Sequence, residues 1–462
     1  MRAADTELPG EPGSELTSRE ANPPARRPLR RRWGAVASGA ASGALLLAAC
    51  GSAGHSSAAA ATNGTSAAPE SITLWESHNG GPVGGAMTAL VNRFNAGHKS
   101  VHVTIVVTKA SKKLLAAIPT GTAPVLAEIS HYDGALVKAG ALVSWNQFMG
   151  AGNTVTKANF TPAVWSNGEV SGQHYRLQAD VKVSQVLYNK TLFSQAGITS
   201  APTTWTQLAT DAAAIRARDP GVIPLGWKDS SAHILPAFLS DGGSLLQGSN
   251  SVGKSVAFDN QAGTTSFSYF RSLYSSGEMQ LHHGTTLRED FGAGKMAMID
   301  GTSAGYAKAL AAVNGKFQVG AFVEPAGSTG NAYNIDQGLG FVLPKDHTHA
   351  QDEAAWTFVQ WWYQPAQQVY WAEQTGFAPE TRAAIAAMPR SFLSTHPGMV
   401  ATIAAVKSPY TLPRPVSDSY KEVQAALDTA WFDAVTGKDP VSGTLSTLQS
   451  QGNGYMSGAS EL

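Results

Sequence analysis

A single cysteine, Cys50, limits the folds open to this chain of 462 residues more than any other feature. One cysteine cannot form a disulfide framework within a monomer, and it cannot build a cage of thiolate metal ligands. The fold must therefore be held by a hydrophobic core. Hydrophobic residues make up 43% of the chain and charged residues only 14%, so a chain of this length is expected to form two or more domains.

The segment before Cys50 has the organisation of a signal peptide. Five arginines between positions 26 and 32 precede an uncharged run, WGAVASGAASGALLLAA, at positions 33–49. This run is short and rich in glycine and alanine for a membrane-spanning helix. It ends in LAACG around Cys50, which resembles the lipobox of bacterial lipoproteins.

We interpret residues 1–49 as a signal peptide that is cleaved before Cys50, with lipidation of the cysteine sulfur. Residues 50–70 are small and polar, and we predict a flexible tether there. A secretory peptide that ends near a cysteine by chance is the alternative. The paired arginines leave both Sec and twin-arginine export open.

The charge balance argues against a nucleic-acid-binding protein. The whole chain has 33 basic and 33 acidic residues, and the part after residue 49 has 26 and 28, a formal net charge of −2. Nucleic-acid binding would require a basic face. No second apolar run approaches 18 residues, so the sequence predicts no other membrane span.

Strand and helix patterns alternate along residues 71–129. Strands are predicted at 71–75, 101–107 and 125–129, and apolar residues at helical spacing lie between them. This βαβαβ order predicts a parallel sheet covered by helices.

The same alternation restarts near residue 183, and the chain becomes mainly helical after about residue 350. We therefore predict an α/β protein with two lobes and a cleft between them. The predicted first lobe comprises residues 71–180 and 301–345. The second comprises 181–300 and 346–452, and 453–462 form a tail.

Polar residues that follow predicted strands are the first candidates for ligand contact. Ser77 and His78 follow the first strand, His131 follows the third, and Asp180 precedes a strand at the expected crossover between lobes. Ligands of open α/β sheets bind beyond the carboxyl ends of strands. We expect these four residues to contact a ligand, with simple turn formation as the alternative.

Trp227 ends an apolar run and opens into a polar loop, which suggests a stacking surface for a sugar. Packing in the core is the competing interpretation, because tryptophan buries a large area wherever it lies. Four further tryptophans between positions 356 and 371 occur at helical spacing, and most of them are expected in the core.

The segment Gly301-Thr302-Ser303-Ala304-Gly305 matches the G-x-S-x-G pattern of a nucleophile elbow, between a predicted strand and a predicted helix. Asp336 and His396 could complete a catalytic triad, so a secreted serine hydrolase is the alternative function. No HGGG-type oxyanion segment lies upstream. A turn whose N–H groups and hydroxyl bind a ligand oxygen, or a plain turn, accounts for the pattern equally well.

The histidine pairs His347/His349 and His282/His283 have no carboxylate or cysteine at metal-ligand spacing, and we interpret them as surface residues. The sequence predicts neither a metal nor a cofactor.

Several segments resemble the extracellular solute-binding proteins of carbohydrate ABC importers, over nearly the whole of residues 71–452. ITLWESHNGGPVGGAMTALVNRFN resembles the first strand and helix of glycerol-3-phosphate-binding proteins. The most specific match is YNKTLFSQAGI followed by PTTWTQL, and TGTAPVLAEISHYDGALVKAGAL, FGAGKMAMIDGTSAG and EQTGFAPET also resemble family segments.

The resemblance implies a two-lobed periplasmic-binding-protein-like fold of type II and no catalytic residues. Carried over by position, it places His131, Trp227, Ser303, Gln337 or Gly338, and Phe377 at the cleft. Arg414 lies near the position of the family's phosphate-binding arginine, which falls at Val416 here.

The resemblance also implies a ligand and partners. A sugar, a polyol and a glycerophosphodiester all remain open as the ligand. The implied partners are the permease subunits of an ABC importer and the membrane, reached through the lipid on Cys50. We expect a monomer, anchored to the outer face of the cell membrane. A receptor-like lipoprotein that signals or scaffolds without transport is a further alternative.

Overall fold

The computed structural model describes residues 68–457, apart from residues 79, 131–132, 151–152, 231–233, 248–252, 254, 283–285, 416 and 418 and the side chain of Asp133. The predictions for the signal peptide, Cys50 and His131 lie outside the described residues. Among the described helices, none combines the length and the hydrophobicity needed to cross a bilayer.

The first part of the chain alternates strands with short helices: β1 (Glu70–Glu76), α1 (Gly81–Gly97), β2 (Val101–Val107), α2 (Ala110–Ala117), β3 (Leu126–Ile129), α3 (Asp133–Lys138), β4 (Leu142–Val143), α4 (Pro162–Ser166), β5 (Glu169–Val170), β6 (Gln173–His174) and β7 (Arg176–Gln178). The βαβαβ prediction for residues 71–129 is confirmed, with bounds within a few residues of those expected.

The middle part contains β8 (Ser184–Asn189), α5 (Lys190–Gln195), α6 (Trp205–Arg218), β9 (Ile223–Lys228), α7 (Leu235–Ser240), α8 (Gln261–Ser275), β10 (Met279–His282), α9 (Thr286–Gly292), β11 (Met296–Thr302), α10 (Tyr306–Val313), β12 (Val319–Val323) and β13 (Asn334–Ile335).

The last part is mostly helical, as expected: β14 (Gly340–Pro344), α11 (His349–Trp362), α12 (Pro365–Thr375), α13 (Arg382–Ala387), α14 (Arg390–Thr395), α15 (Pro397–Lys407), β15 (Thr411–Leu412), α16 (Tyr420–Thr436) and α17 (Val441–Ser457). Short 3-10 turns lie at Ile118–Thr120, Trp145–Gln147, Lys157–Asn159 and Ser303–Gly305.

The described strands form two main sheets. The first has the order β2-β1-β3-β14-β4, with β7 also paired to β14, and its β2-β1-β3 part is parallel. The second has the order β10-β9-β11-β8-β12, in which β8 runs antiparallel to both of its neighbours. Each sheet has its own buried apolar cluster, which confirms the prediction of a two-lobed α/β fold.

The segments divide between the lobes differently from the prediction. Residues 301–335 belong to the second lobe, because β12 pairs with β8 and α10 packs against β11 through a shared apolar cluster. The helices α11 and α12 belong to the first lobe, since Phe358, Trp362 and Trp371 pack into the same core as Leu74 and Phe94. The strand β14 returns the chain to the first sheet and thereby brings these helices onto its open face.

The helices α16 and α17 join the second core through Leu427, Trp431 and Leu445. The helix α15 contacts both lobes: Met399 and Val406 belong to the first core, and the same helix lies against β12.

The chain passes between the lobes through three segments. We call residues 179–183 the first crossover segment, residues 336–339 the second and residues 408–415 the third. The small parallel pair β13–β15 brings the second and third crossover segments together.

Candidate functional site

The carboxyl ends of β1 and β3 lie side by side, because the two parallel strands pair Trp75 with Ala127. This register sets Glu76, the last residue of β1, opposite Glu128 in β3. Both glutamates are buried, with 1% and 0% of their surface exposed. Two carboxylates therefore lie under the edge of the sheet at which ligands of α/β proteins bind.

The imidazole of His78 lies between three carboxylates. Its Nδ1 is 3.2 Å from Oε1 of Glu76 and 3.1 Å from Oε2 of Glu128, and its Nε2 is 3.4 Å from Oδ2 of Asp180. Ser77 fixes Glu128, since its backbone N–H donates to Oε2 of Glu128 at 3.1 Å and its hydroxyl donates to the Glu128 carbonyl oxygen at 2.8 Å. The structure thus brings together three predicted residues, Ser77, His78 and Asp180.

The carboxylates dominate the electrostatics of this cluster. Burial by itself lowers the pKa of His78, but the charge of Glu128 and the contacts with Asp180, Glu128 and Glu76 outweigh burial and raise the pKa to about 12. Burial raises the pKa of Glu128, and the positive charge on His78 opposes that rise. The cluster therefore has a strongly negative potential that favours a bound positive charge.

Two aromatic rings complete the surroundings of His78. The ring centroids of Trp371 and Phe377 lie 6.0 Å and 5.8 Å from that of His78, both edge-on. The two rings stack on each other at 5.8 Å with an interplanar angle of 5°. Phe377, predicted at the cleft, therefore belongs to the same site, although it is itself only 4% exposed.

Asp336 connects the first and second crossover segments. Its Oδ1 accepts hydrogen bonds from the backbone N–H groups of Lys182 (3.2 Å) and Gly338 (2.9 Å). Its Oδ2 accepts from the side-chain amides of Gln178 (2.7 Å) and Asn167 (3.1 Å). Burial raises the pKa of this carboxyl group, and the hydrogen bonds oppose the rise.

Gly338 allows the second crossover segment to touch the first. A Cβ atom on Gly338 would lie 1.9 Å from the carbonyl oxygen of Asp180, which no side chain can tolerate. The next residue, Leu339, donates its backbone N–H to Oδ1 of Asp180 at 3.0 Å. Asp180 thus bonds the second crossover segment with one carboxylate oxygen and faces His78 with the other.

Arg414 connects the third crossover segment to the second crossover segment and to the end of β3. Its Nη2 donates to the carbonyl oxygen of Gln337 at 2.8 Å, and its Nη1 donates to the carbonyl oxygen of Ser130, which follows β3. Gln337 in turn donates its backbone N–H to the carbonyl oxygen of Lys182 at 2.7 Å. Burial, together with the positive charge of Arg414, lowers the pKa of Lys182.

Ser303 lies at the predicted strand-to-helix turn, but its hydroxyl is used within the protein. It is 1% exposed, and its Oγ accepts a hydrogen bond from the backbone N–H of Val183 at 3.3 Å. The remaining triad candidates are engaged elsewhere: Asp336 bonds the crossover segments, and His396 stacks on Phe392 at 3.8 Å. The structure does not assemble the triad of the hydrolase alternative.

Trp227 is a correction to the sequence prediction. It has no exposed surface and belongs to the second core, where Trp205 and Phe270 lie 6.2 Å and 5.0 Å from it between ring centroids. Packing, and not ligand stacking, accounts for this tryptophan, because β9 turns its apolar face toward α6 and α8.

Of the histidines interpreted as surface residues, His282 is half-buried, and its Nε2 is enclosed without a hydrogen-bond partner among the described residues. His349 is exposed and lies 3.1 Å from Glu353 on the same helix, and His347 contacts the carbonyl oxygen of Pro124 at 2.9 Å. His283 lies outside the described residues.

Glu128 is the main residue of the site that the sequence prediction missed. A glutamate inside the otherwise apolar strand Val125–Ile129 was the available signal, since a buried strand rarely contains an unneeded charge. Glu76 directly precedes the predicted pair Ser77 and His78, and Trp371 is one of the four tryptophans of which most were expected in the core. Donor atoms of Glu76, His78 and Glu128 all lie within 4.8 Å of one another, close enough to share a metal ion.

The comparisons with known proteins agree with this architecture. Residues 89–399 match the family model described as bacterial extracellular solute-binding protein. The match covers more than half of the chain.

The chain belongs to the bacterial extracellular solute-binding proteins.

Solved structures share the fold of this solute-binding protein at low sequence identity. One is the cyclic alpha-maltosyl-1,6-maltose binding protein of Arthrobacter globiformis, with 22% identity, a TM-score of 0.73 and coverage of 84% of this chain and 99% of that one. Another is UgpB from Mycobacterium tuberculosis in complex with glycerophosphocholine, with 19% identity, a TM-score of 0.71 and coverage of 83% and 98%.

The sugar-binding protein MalE of Xanthomonas citri is a third such structure, with 17% identity, a TM-score of 0.73 and coverage of 84% and 97%. No curated protein sequence matches this solute-binding protein at a significant level. The family and these neighbours are binding proteins, and the family acts outside the cytoplasm.

Proposed function

We propose that this solute-binding protein is the receptor of an ABC importer and captures a sugar, polyol or glycerophosphodiester at the site around His78. The observation that carries the proposal is His78, which is 15% exposed and lies among three carboxylates at the contact of the crossover segments. A histidine held among carboxylates exchanges hydrogen bonds with the hydroxyl groups of a sugar or polyol. Hinge motion about the crossover segments opens and closes the site.

The charges of the site favour a neutral ligand within this class. Three carboxylates surround His78, and the guanidinium of Arg414 donates to two backbone carbonyl oxygens. In the metal-free site a phosphomonoester would meet the negative charges of Glu128 and Asp180, which Lys182 near Asp180 offsets only in part. A neutral sugar or polyol avoids this repulsion.

The known relatives support the same class. The solved neighbours include the cyclic alpha-maltosyl-1,6-maltose binding protein, the sugar-binding protein MalE and a protein in complex with glycerophosphocholine. Of the ligand contacts predicted from the sequence, we keep five in the proposal: Ser77, His78, Asp180, Phe377 and Arg414.

The proposal also covers the membrane anchor and the partners of the protein. We infer that the sulfur of Cys50 carries a lipid that holds the protein, as a monomer, at the outer face of the membrane. The permease subunits of the importer receive the ligand. Capture of the solute and its delivery to the permease make and break no covalent bond in the solute.

A thermal-shift screen of sugars, polyols, glycerophosphodiesters and phosphomonoesters tests this function. A ligand present at 100 times its Kd adds about 2.7 kcal/mol of stability, which is easily detected. We expect a neutral sugar or polyol to give the largest shift, and we expect His78→Gln to reduce it. The screen is run with and without EDTA, so that metal effects are separated from solute effects.

Two outcomes would overturn the proposal. One is the absence of any shift across the carbohydrate and polyol sets while an unrelated solute class binds. The other is stoichiometric labelling of Ser303 by a fluorophosphonate probe, which would favour the hydrolase.

A further inference from the structure

We propose that Glu76, His78 and Glu128 form a binding site for a divalent cation, and that Asp180 holds His78 in the tautomer that ligates it. The inference concerns the residues of the protein alone and does not depend on which solute is bound.

The spacing of the donor atoms fits a shared ion. Bonds of about 2.0–2.2 Å from a metal to nitrogen or oxygen place neighbouring donors about 3.0–3.5 Å apart. The two carboxylate oxygens lie 3.2 Å and 3.1 Å from Nδ1 of His78, and all three donors fall within 4.8 Å.

The direction of these contacts also supports a shared ion. Although both oxygens are close to Nδ1, neither makes a hydrogen bond to it with acceptable geometry, and Nδ1 has no other partner among the described residues. Both oxygens therefore lie to the side of the ring's N–H direction. Ligands arranged around an ion on that axis take up these positions.

Asp180 provides an independent observation. Its side chain is 1% exposed, and its Oδ2 has no hydrogen-bond partner in the described part of the chain, yet it faces Nε2 of His78 at 3.4 Å. In metal sites a ligating histidine commonly donates its other ring N–H to a carboxylate, which fixes the tautomer and the ring orientation. Oδ2 of Asp180 is the nearest acceptor to Nε2 among these contacts, and binding of an ion at Nδ1 would bring the ring into line to donate to it.

The charge balance gives a reason for the ion. Three buried carboxylates face one imidazole, and Lys182 interacts electrostatically with Asp180. Oε1 of Glu128, which is fully buried, has no hydrogen-bond partner among the described residues. Burying such carboxylates is costly, and a divalent cation that displaces the Nδ1 proton of His78 compensates them better than that proton does. Hydrogen bonds from the N–H groups of Ser77 and His78 already orient the two ligating oxygens.

The donor set indicates the kind of metal. One imidazole nitrogen with two carboxylate oxygens suits Zn²⁺ or Mn²⁺, whereas Ca²⁺ and Mg²⁺ prefer oxygen ligands alone. Such an ion would join the ends of β1 and β3 and, through Asp180, the first crossover segment. It would therefore hold the strand ends that border the solute site in a fixed position relative to the first crossover segment.

Equilibrium dialysis of the chelator-stripped protein against Zn²⁺ or Mn²⁺ tests this site, with metal content measured by mass spectrometry and the melting temperature recorded in parallel. We expect one ion per chain and a higher melting temperature with metal than with EDTA. Glu128→Gln should weaken binding at least tenfold. Asp180→Asn, which removes no ligand, should weaken it by about 10–100-fold.

The surface pair His349–Glu353 provides the matched control, because it has the same chemistry at 3.1 Å but is exposed. His349→Gln should leave the binding of the ion unchanged. Loss of the ion in His349→Gln with full retention in Asp180→Asn and Glu128→Gln would overturn the proposal, as would a wild-type protein that binds no ion. If Glu128→Gln does not fold, Glu76→Gln and Asp180→Asn decide the question.

Discussion

Gly338 lies against Asp180 so closely that a Cβ atom on Gly338 would approach the Asp180 carbonyl oxygen to 1.9 Å. This contact joins the first and second crossover segments backbone to backbone, directly beside the carboxylate that faces His78. The hinge region and the candidate site are therefore parts of one structure. A change in either is expected to affect the other.

Gly338→Ala should destabilise the protein by about 1–3 kcal/mol or more, because the crossover segments would have to separate to admit the methyl group. Urea unfolding measures this loss, and solute affinity should fall with it. Gly85→Ala is the control: Gly85 is in α1 with no atom within 4 Å of an added Cβ, and the change should be neutral or stabilising by up to about 1 kcal/mol. Equal stability of the two variants would refute the contact.

Trp227→Ala should cost about 3–5 kcal/mol of folding free energy, since it removes a fully buried ring from the second core. The solute affinity of the folded fraction should stay close to that of the wild type. Chemical unfolding and calorimetric titration separate the two effects. A variant with unchanged stability and lost solute binding would restore the stacking interpretation.

Glu324→Gln should stabilise the protein at neutral pH. Glu324 is fully buried, both of its carboxylate oxygens lack hydrogen-bond partners in the described part of the chain, and burial together with Asp300 raises its pKa well above the usual value. A raised pKa means that the wild type loses stability as the pH rises above the unfolded value of about 4.3. The side-chain amide of the glutamine variant does not ionise, so the variant avoids this loss of stability.

The advantage of Glu324→Gln should therefore be about 1–3 kcal/mol at pH 7 and should vanish below about pH 4. Urea unfolding at pH 4, 6 and 8 checks this trend. Glu353→Gln, at an exposed glutamate, is the control and should show no comparable gain. A gain that grows toward low pH would contradict the expected sign.

Asp336→Asn should destabilise the hinge by about 2–3 kcal/mol, because all four hydrogen bonds to Asp336 come from N–H donors and an amide nitrogen would face two of them. The melting temperature and the solute affinity should both fall. Asp346→Asn is the matched control, since Asp346 is an exposed loop residue with φ 75°, which asparagine also adopts. Comparable melting temperatures for both variants would show that Asp336 is not the connecting residue.

Cys50→Ala should prevent lipidation and move the protein from the membrane fraction to the soluble fraction, or leave the precursor uncleaved. Fractionation of cells and mass spectrometry of the amino terminus measure this. A variant that is cleaved at the same site and stays with the membrane would exclude the lipobox interpretation.

The fold was largely predictable from local pattern, because the buried positions of β1, α1 and β2 repeat at the periods of a strand and a helix. The site was predictable only in part. Ser77, His78 and Asp180 were found because polar residues after strands converge at a sheet edge. Glu128 was not, since its role comes from a register between strands about fifty residues apart in the chain.

The sequence by itself determined the order of strands and helices, the basic and apolar pattern before Cys50 and the family resemblance, since each of these depends on contiguous residues. Only the tertiary structure decided which lobe contains residues 301–335 and α11, why Trp227 is a core residue, and which carboxylates surround His78. The physical reason is that periodicity shows which face of an element is buried. It does not show which distant element covers that face, and burial and charge compensation depend on that partner.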